Sequence, residues 1–107
     1  MNEKLKGIII PAATPFDERG EVSVPMMEKN YKKWGKTNIR GYMCLGSNGE
    51  FKSLTDEESL LVIRSAIRFK GEKTLIAGVG RESLHHTLRF IDRAASLGNG
   101  IDYFSVL

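Results

Sequence analysis

Residues 46–50, Gly46-Ser47-Asn48-Gly49-Glu50, gather a hydroxyl, a carboxamide and a carboxyl group around two glycines. Glycine allows positive φ and lets backbone N–H groups approach an anion with no Cβ in the way. The serine hydroxyl and asparagine amide add donors at the same spot. Such a segment can cradle a carboxylate or a phosphate. The same residues are also what an ordinary turn uses, so the chemistry of the segment leaves both readings open.

The elements around it decide where the segment sits. Short apolar runs alternate with longer amphipathic stretches, which predicts strands near 7–13, 41–45 and 74–78 and a fourth starting at "IDYFSVL". Between them lie three helices. The first is capped by Ser23, accepts Pro25 in its first turn, carries Met27, Tyr31 and Trp34 on one face and ends at Gly35. The second opens with a Thr55/Glu58 capping box, with Asp56 and Glu57 beside the positive end of the helix dipole. Its apolar stripe is Leu60, Ile63 and Ile67, and Gly71 closes it. The third is capped by Ser83, with Leu84, Leu88, Ile91 and Ala95 expected on its buried face and Gly98-Asn99-Gly100 as its stop.

The order β-α-β-α-β-α-β, repeating every 30 to 35 residues or so, implies parallel strands joined by right-handed helical crossovers. An open doubly wound sheet and part of a (β/α)₈ barrel both satisfy it. With 107 residues the chain is too short for a whole barrel, which needs about 200 or more. A chain ending on its fourth strand, with no following helix, reads as one cut short. In either architecture ligands bind at the carboxyl ends of the strands, which is where residues 46–50 fall.

Composition excludes several alternatives. No run of about 18 apolar residues could span a membrane, and residues 1–7 lack the apolar core of a signal peptide. The single cysteine, Cys44, fits a reducing cytoplasm. Net charge is +3, and the densest basic stretch, Lys29 to Arg40, holds five positive charges, of which Lys29, Lys32, Lys33 and Lys36 have the spacing of a solvated helix face; no nucleic-acid partner is expected. His85 and His86 are adjacent on a helix, hence about 100° apart, and cannot chelate one metal together. Cys44 between Met43 and Leu45 reads as a strand-core thiol, and Tyr31, Trp34 and Phe69 as helix packing. Gly78-Val79-Gly80 lacks the third glycine and the acidic residue of a dinucleotide fingerprint. That absence, with that of a phosphate-loop lysine, disfavours an open-sheet phosphate-binding domain.

Three blocks stand in a telling order: "GIIIPAATPF" at 7–16, "GSNGEFKSLTDEE" at 46–58 and "IAGVG" at 76–80, followed by Gly100-Ile101-Asp102. In these the chain resembles the N-terminal part of the dihydrodipicolinate synthase and N-acetylneuraminate lyase family of class I, pyruvate-handling aldolases. The resemblance covers essentially all of residues 1–107. It implies a single TIM-barrel domain of which this is the N-terminal fragment, about four parallel strands and three helices.

It also implies a reaction. In that family a lysine condenses with the keto group of pyruvate or another 2-oxo acid to form a Schiff base. No metal or cofactor is expected, and a homo-oligomer, tetrameric in the full-length family, is implied. Ser47 and Asn48 take the place of the pair that binds the substrate carboxylate, with Gly46, Gly49 and Glu50 shaping the loop. Pro11 stands at the end of the first strand bordering the same site, and Thr14 in the adjoining "TPF" segment.

Asn48 departs from the synthase pattern of two threonines, the second of which relays a proton. An amide can hydrogen-bond but serves poorly as that relay. The Ser-Asn-Gly-Glu-Phe version is more similar to the 4-hydroxy-2-oxoglutarate aldolase branch. Ser59 replaces an arginine that many members carry, which puts an ion pair in question. The family's catalytic tyrosine and Schiff-base lysine belong to strands beyond the fourth, and Lys70 and Lys73 are expected at the amino end of the third strand, the wrong face of the barrel. No catalytic residue is therefore assigned within the chain. The second reading is a non-catalytic half-barrel that binds a partner or a small carboxylate. A half-barrel also leaves its apolar inner face uncovered, so self-association is expected.

Overall fold

The computed structural model describes residues 3–106. Four strands, β1 (Ile9–Pro11), β2 (Gly41–Cys44), β3 (Thr74–Gly78) and β4 (Tyr103–Ser105), form one sheet in the order β1-β2-β3-β4, every pair parallel. Three helices cross over between them: α1 (Val24–Trp34), α2 (Asp56–Phe69) and α3 (Leu84–Ala95). This is the architecture of the first half of a (β/α)₈ barrel, one of the two arrangements the repeat allows. The first strand is shorter than the apolar run 7–13, and the second stops at Cys44 because Leu45 turns into the left-handed region.

Local signals explain the helix bounds. The Ser23 hydroxyl accepts from the Met26 N–H and the Ser83 hydroxyl from the His86 N–H, so each helix starts where an orphan donor finds an acceptor. Thr55 and Glu58 form the reciprocal capping box. α2 ends at Phe69, and Gly71 leaves it with a positive φ of 60°.

Strand register sorts the side chains onto two faces. Tyr42 and Leu75 are partners, as are Cys44 and Ala77, and all four are buried beneath the helices with Met27, Tyr31, Ile63, Ala66, Phe90 and Ala94. Tyr31 and Tyr42 stack with ring centroids 4.3 Å apart, and the Tyr42 hydroxyl donates to the Tyr31 carbonyl at 3.0 Å. Burial pushes the Tyr31 hydroxyl pKa upward and the Cys44 thiol up to about 12, which makes Cys44 the inert core group expected of it. Burying each large side chain of this set is worth about 1.5–3 kcal/mol.

One expectation fails on α3. The buried face is Thr87, Phe90 and Ala94, while Leu84 and Leu88 are 75% and 53% exposed and Ala95 is exposed; only Ile91 of the expected stripe packs on the core. The periodicity found an apolar stripe, but not the one facing the sheet. Phe90 owes its place to size and to Arg81, whose guanidinium carbon lies 3.8 Å from the ring centroid.

Candidate functional site

The carboxyl ends of the strands carry the connections 12–23, 45–55 and 79–83. In the second, Ser47–Gly49 and Phe51–Ser53 form two 3₁₀ turns. Leu45 (φ 60°) precedes the first, and Glu50 (φ 58°) joins the two. Both are non-glycine residues in the left-handed region, where a branched side chain such as Leu45 is a genuine outlier. Such strain persists only where the surroundings over-determine it.

Those surroundings are specific. Leu45 is buried, and a Cβ on Gly78 would overlap the Leu45 carbonyl, so the end of β3 presses on the start of the loop. On the other side the buried Thr14 hydroxyl donates to the Gly49 carbonyl at 2.7 Å. A Cβ on Gly49 would come within 3.3 Å of the Ala12 carbonyl, so glycine permits this close approach. Ala12 itself donates to the Met43 carbonyl at 2.9 Å, which ties the β1 exit to β2.

The result is a buried base with an exposed tip. Gly46 and Gly49 are buried, whereas Ser47 and Asn48 are exposed, and among the described residues neither side chain makes a hydrogen bond. The first N–H groups of a helical turn have no acceptor within it, so those of Ser47 and Asn48 join the two side chains as donors at one place. Pro11 is exposed at the carboxyl end of β1, paired in register with Met43. The five residues singled out in the sequence thus gather around the β1 and β2 ends, but their parts differ. Ser47 and Asn48 are exposed, Pro11 is exposed at the end of β1, and Thr14 and Gly46 are buried. Two shallow surface depressions, one beside Phe16 and Met26 and one beside Asp56, His86 and Phe90, include none of the five.

The lysines follow the expectation. Lys73 donates to the Thr37 and Ile39 carbonyls and Lys70 to the Lys73 carbonyl, all at the amino end of the sheet. Lys29, Lys32, Lys33 and Lys36 are exposed, and Lys32 pairs with Glu28 at 2.8 Å.

Sequence reading missed an ionic network on the outer rim. Asp56 accepts from Arg81 Nε at 2.9 Å and lies 2.8 Å from His86 Nε2, while Arg93 donates to Glu57. Burial alone would raise the Asp56 pKa, but the hydrogen bonds and charges of His86 and Arg81 hold the carboxyl below its ordinary range. Asp56 was expected only to complement the helix dipole, and its partners, 25 and 30 residues away, leave no local signal. Ser59 is fully buried, and its hydroxyl makes no hydrogen bond, so no ion pair forms there.

Comparison with known proteins agrees with this geometry. The chain is 33% identical over 94 residues to a 4-hydroxy-tetrahydrodipicolinate synthase of Exiguobacterium sibiricum, covering 87% of this chain and 32% of that protein. It superposes on Proteus mirabilis N-acetylneuraminate lyase with a TM-score of 0.87 at 30% identity, covering 97% of this chain and 35% of the other. An Escherichia coli K12 prophage protein of the dihydrodipicolinic acid synthase family, solved in complex with pyruvate, superposes with a TM-score of 0.84 at 28% identity, over 95% of this chain and 34% of that one. The chain spans about a third of the length of the curated relatives it matches. The profile of the Dihydrodipicolinate synthetase family matches residues 4–104, and with four parallel strands, three crossover helices and the Gly46–Glu50 loop in place the chain belongs to that family.

Proposed function

We propose that residues 1–107 are the N-terminal part of a single barrel domain of a lyase that handles pyruvate or a related 2-oxo acid in the cytoplasm. Its loop 46–50 binds the substrate carboxylate. The Ser47 hydroxyl and the Ser47 and Asn48 N–H groups donate to the carboxylate oxygens, and Thr14 holds the loop from below. The reaction is formation or cleavage of a carbon–carbon bond beside the 2-oxo group. A lysine amine adds to the keto carbon, water leaves, and the resulting iminium takes up the electrons of the breaking bond. That lysine belongs to a strand beyond the fourth, as does the tyrosine that serves it. The full assembly is a homo-oligomer. Asn48, which donates but does not relay a proton, favours a hydroxy-oxo-acid aldolase over the synthase.

One observation carries this reading: two exposed donor side chains without partners sit on a loop whose base is strained and fully packed. A segment serving only as a turn has no need of that strain. The test is titration of the chain with pyruvate, followed by backbone N–H chemical shifts. Saturable shifts centred on Ser47, Asn48 and Gly49, lost in Ser47→Ala with the fold intact, are expected. Shifts centred elsewhere, or none at high pyruvate, would overturn the loop's role. Borohydride added with pyruvate is expected to leave the mass of the 107-residue chain unchanged.

A further inference from the structure

The chain holds two Asn-Gly pairs, Asn48-Gly49 and Asn99-Gly100, at opposite ends of the sheet. An asparagine followed by glycine carries a latent reaction, because glycine has no side chain to hinder attack by its own backbone nitrogen. That nitrogen, once deprotonated, adds to the side-chain carbonyl carbon of the asparagine. The carboxamide nitrogen leaves as ammonia, and a cyclic succinimide forms. Water then opens the ring at either carbonyl, giving aspartate or isoaspartate, and no other reagent is consumed. A folded chain permits this only where the glycine N–H is free to lose its proton and the peptide is free to rotate toward the side chain.

The two pairs differ on both counts. In the first, the Gly49 N–H donates to the Gly46 carbonyl at 3.0 Å, and the Glu50 N–H to the Ser47 carbonyl at 3.1 Å. Gly49 is buried, and Thr14 holds its carbonyl at 2.7 Å. Asn48 is the middle residue of the 3₁₀ turn those bonds close, so the rotation that cyclisation needs would break them. In the second, α3 has ended and β4 has not begun. The Leu97 N–H donates to the Ala94 carbonyl and the Asp102 N–H to the Leu75 carbonyl. Among the described residues, no backbone N–H from Gly98 to Ile101 makes a hydrogen bond. Asn99 is exposed, and among those residues its side chain makes none either. The connection joins α3 to β4 and packs on α2, so elements within the chain itself set its surroundings.

We propose that Asn99 is a site of spontaneous deamidation, converting to aspartate and isoaspartate in the folded chain, while the same pair in the 46–50 loop is held unreactive. The position gives the change a structural consequence. A Cβ on Gly100 would overlap the Ile67 side chain, so the backbone just after Asn99 packs tightly on α2. Beyond it, Asp102 accepts from the Leu75 N–H at 2.9 Å and pairs with Lys4 at 2.8 Å. Isoaspartate routes the chain through the former side chain and so adds a backbone methylene between these anchors and α3. The longer connection shifts Gly100 against Ile67 and loosens the entry into β4. The carboxyl-end loop meanwhile keeps the Asn48 amide as a donor. None of this depends on whether that loop binds a carboxylate.

The test is prolonged incubation of the 107-residue chain in mildly alkaline buffer, followed by peptide mass mapping. Deamidation replaces an amino group by a hydroxyl and so shifts the mass of the peptide that carries it. The shift is expected on the Asn99 peptide, divided between an aspartate and an isoaspartate form, and absent from the Asn48 peptide over the same time. In denaturant, where neither backbone is held, both pairs are expected to convert at similar rates. Asn99→Gln, whose side chain closes the ring far less readily, should remove the shift from the folded chain. The isoaspartate fraction should unfold at lower denaturant than Asn99→Asp, which carries the new charge without the extra methylene. Conversion of Asn48 in the folded chain as fast as that of Asn99 would overturn the proposal. So would survival of both pairs in the folded chain while both react in denaturant. An isoaspartate fraction as stable as Asn99→Asp would overturn the loosening of β4.

Discussion

The two ends of the sheet are built to different rules. At the amino end, side chains tie distant backbone together. Lys73 bridges the Thr37 and Ile39 carbonyls, Thr74 Oγ1 donates to the Lys4 carbonyl at 2.6 Å, and Arg40 Nε to the Lys6 carbonyl at 2.9 Å. Asp102 accepts from the Leu75 N–H and pairs with Lys4 at 2.8 Å. None of the described non-glycine residues there has a positive φ. At the carboxyl end, Leu45 and Glu50 are held in the left-handed region, and among the described residues the Ser47 and Asn48 side chains make no hydrogen bond. One end uses its polar side chains to hold the strands together, and the other leaves the Ser47 and Asn48 side chains exposed. The same division, stability below and chemistry above, marks the barrel fold in general.

Matched glycine substitutions probe this contrast with the largest expected effect. A Cβ at Gly41 would overlap the Thr74 carbonyl and one at Gly78 the Leu45 carbonyl. Gly41→Ala and Gly78→Ala should each destabilise the chain by about 2–3 kcal/mol in denaturant titrations, the cost of overpacking against backbone. Only Gly78→Ala should also move the backbone resonances of residues 45–50. Equal disturbance of that loop by both variants would mean that the two ends are not separable.

Acid should strike both ends through one mechanism. The Asp102 pKa would be raised by burial, but the Lys4 hydrogen bond, the Leu75 N–H and the nearby positive charges leave it lowered, as His86 and Arg81 do for Asp56. A carboxyl group depressed by folding contributes stability that is fully present above its ordinary pKa of 3.8. That contribution is lost as pH falls through the lower folded value. Unfolding midpoints measured from pH 7 downward should therefore hold until about pH 4 and then fall. Asp102→Asn should flatten the decline, and an unchanged profile would remove Asp102 from the account.

The smallest effect tests the strain itself. Glu50 is exposed, so Glu50→Gly loses little packing and relieves a left-handed residue, which should raise stability by about 0.5–1 kcal/mol. The same substitution at an exposed position with ordinary φ, such as Glu57 in α2, should instead cost about 1 kcal/mol. A neutral or negative effect at Glu50 would show that the carboxyl-end loop stores no strain there.

Much of this was legible in the chain. Caps such as Ser23, Thr55 and Ser83 act within three residues, so their donors and acceptors can be read directly from the sequence. Alternating apolar runs placed four parallel strands, and spacing put Gly46–Glu50 at their carboxyl ends. The buried face of α3 was not legible, because Leu84 and Leu88 are as apolar as Phe90 and only the sheet's position distinguishes them.

The sequence by itself determined the elements, their order and the residue types offered at the loop, because hydrophobic period, capping and turn chemistry are local. Only the tertiary structure decided that Leu45 turns left-handed against Gly78, that Thr14 reaches across 35 residues to hold Gly49, and that Asp56 gathers Arg81 and His86. Those arrangements depend on chain segments that meet only once the strands have paired, and no local pattern encodes such a meeting.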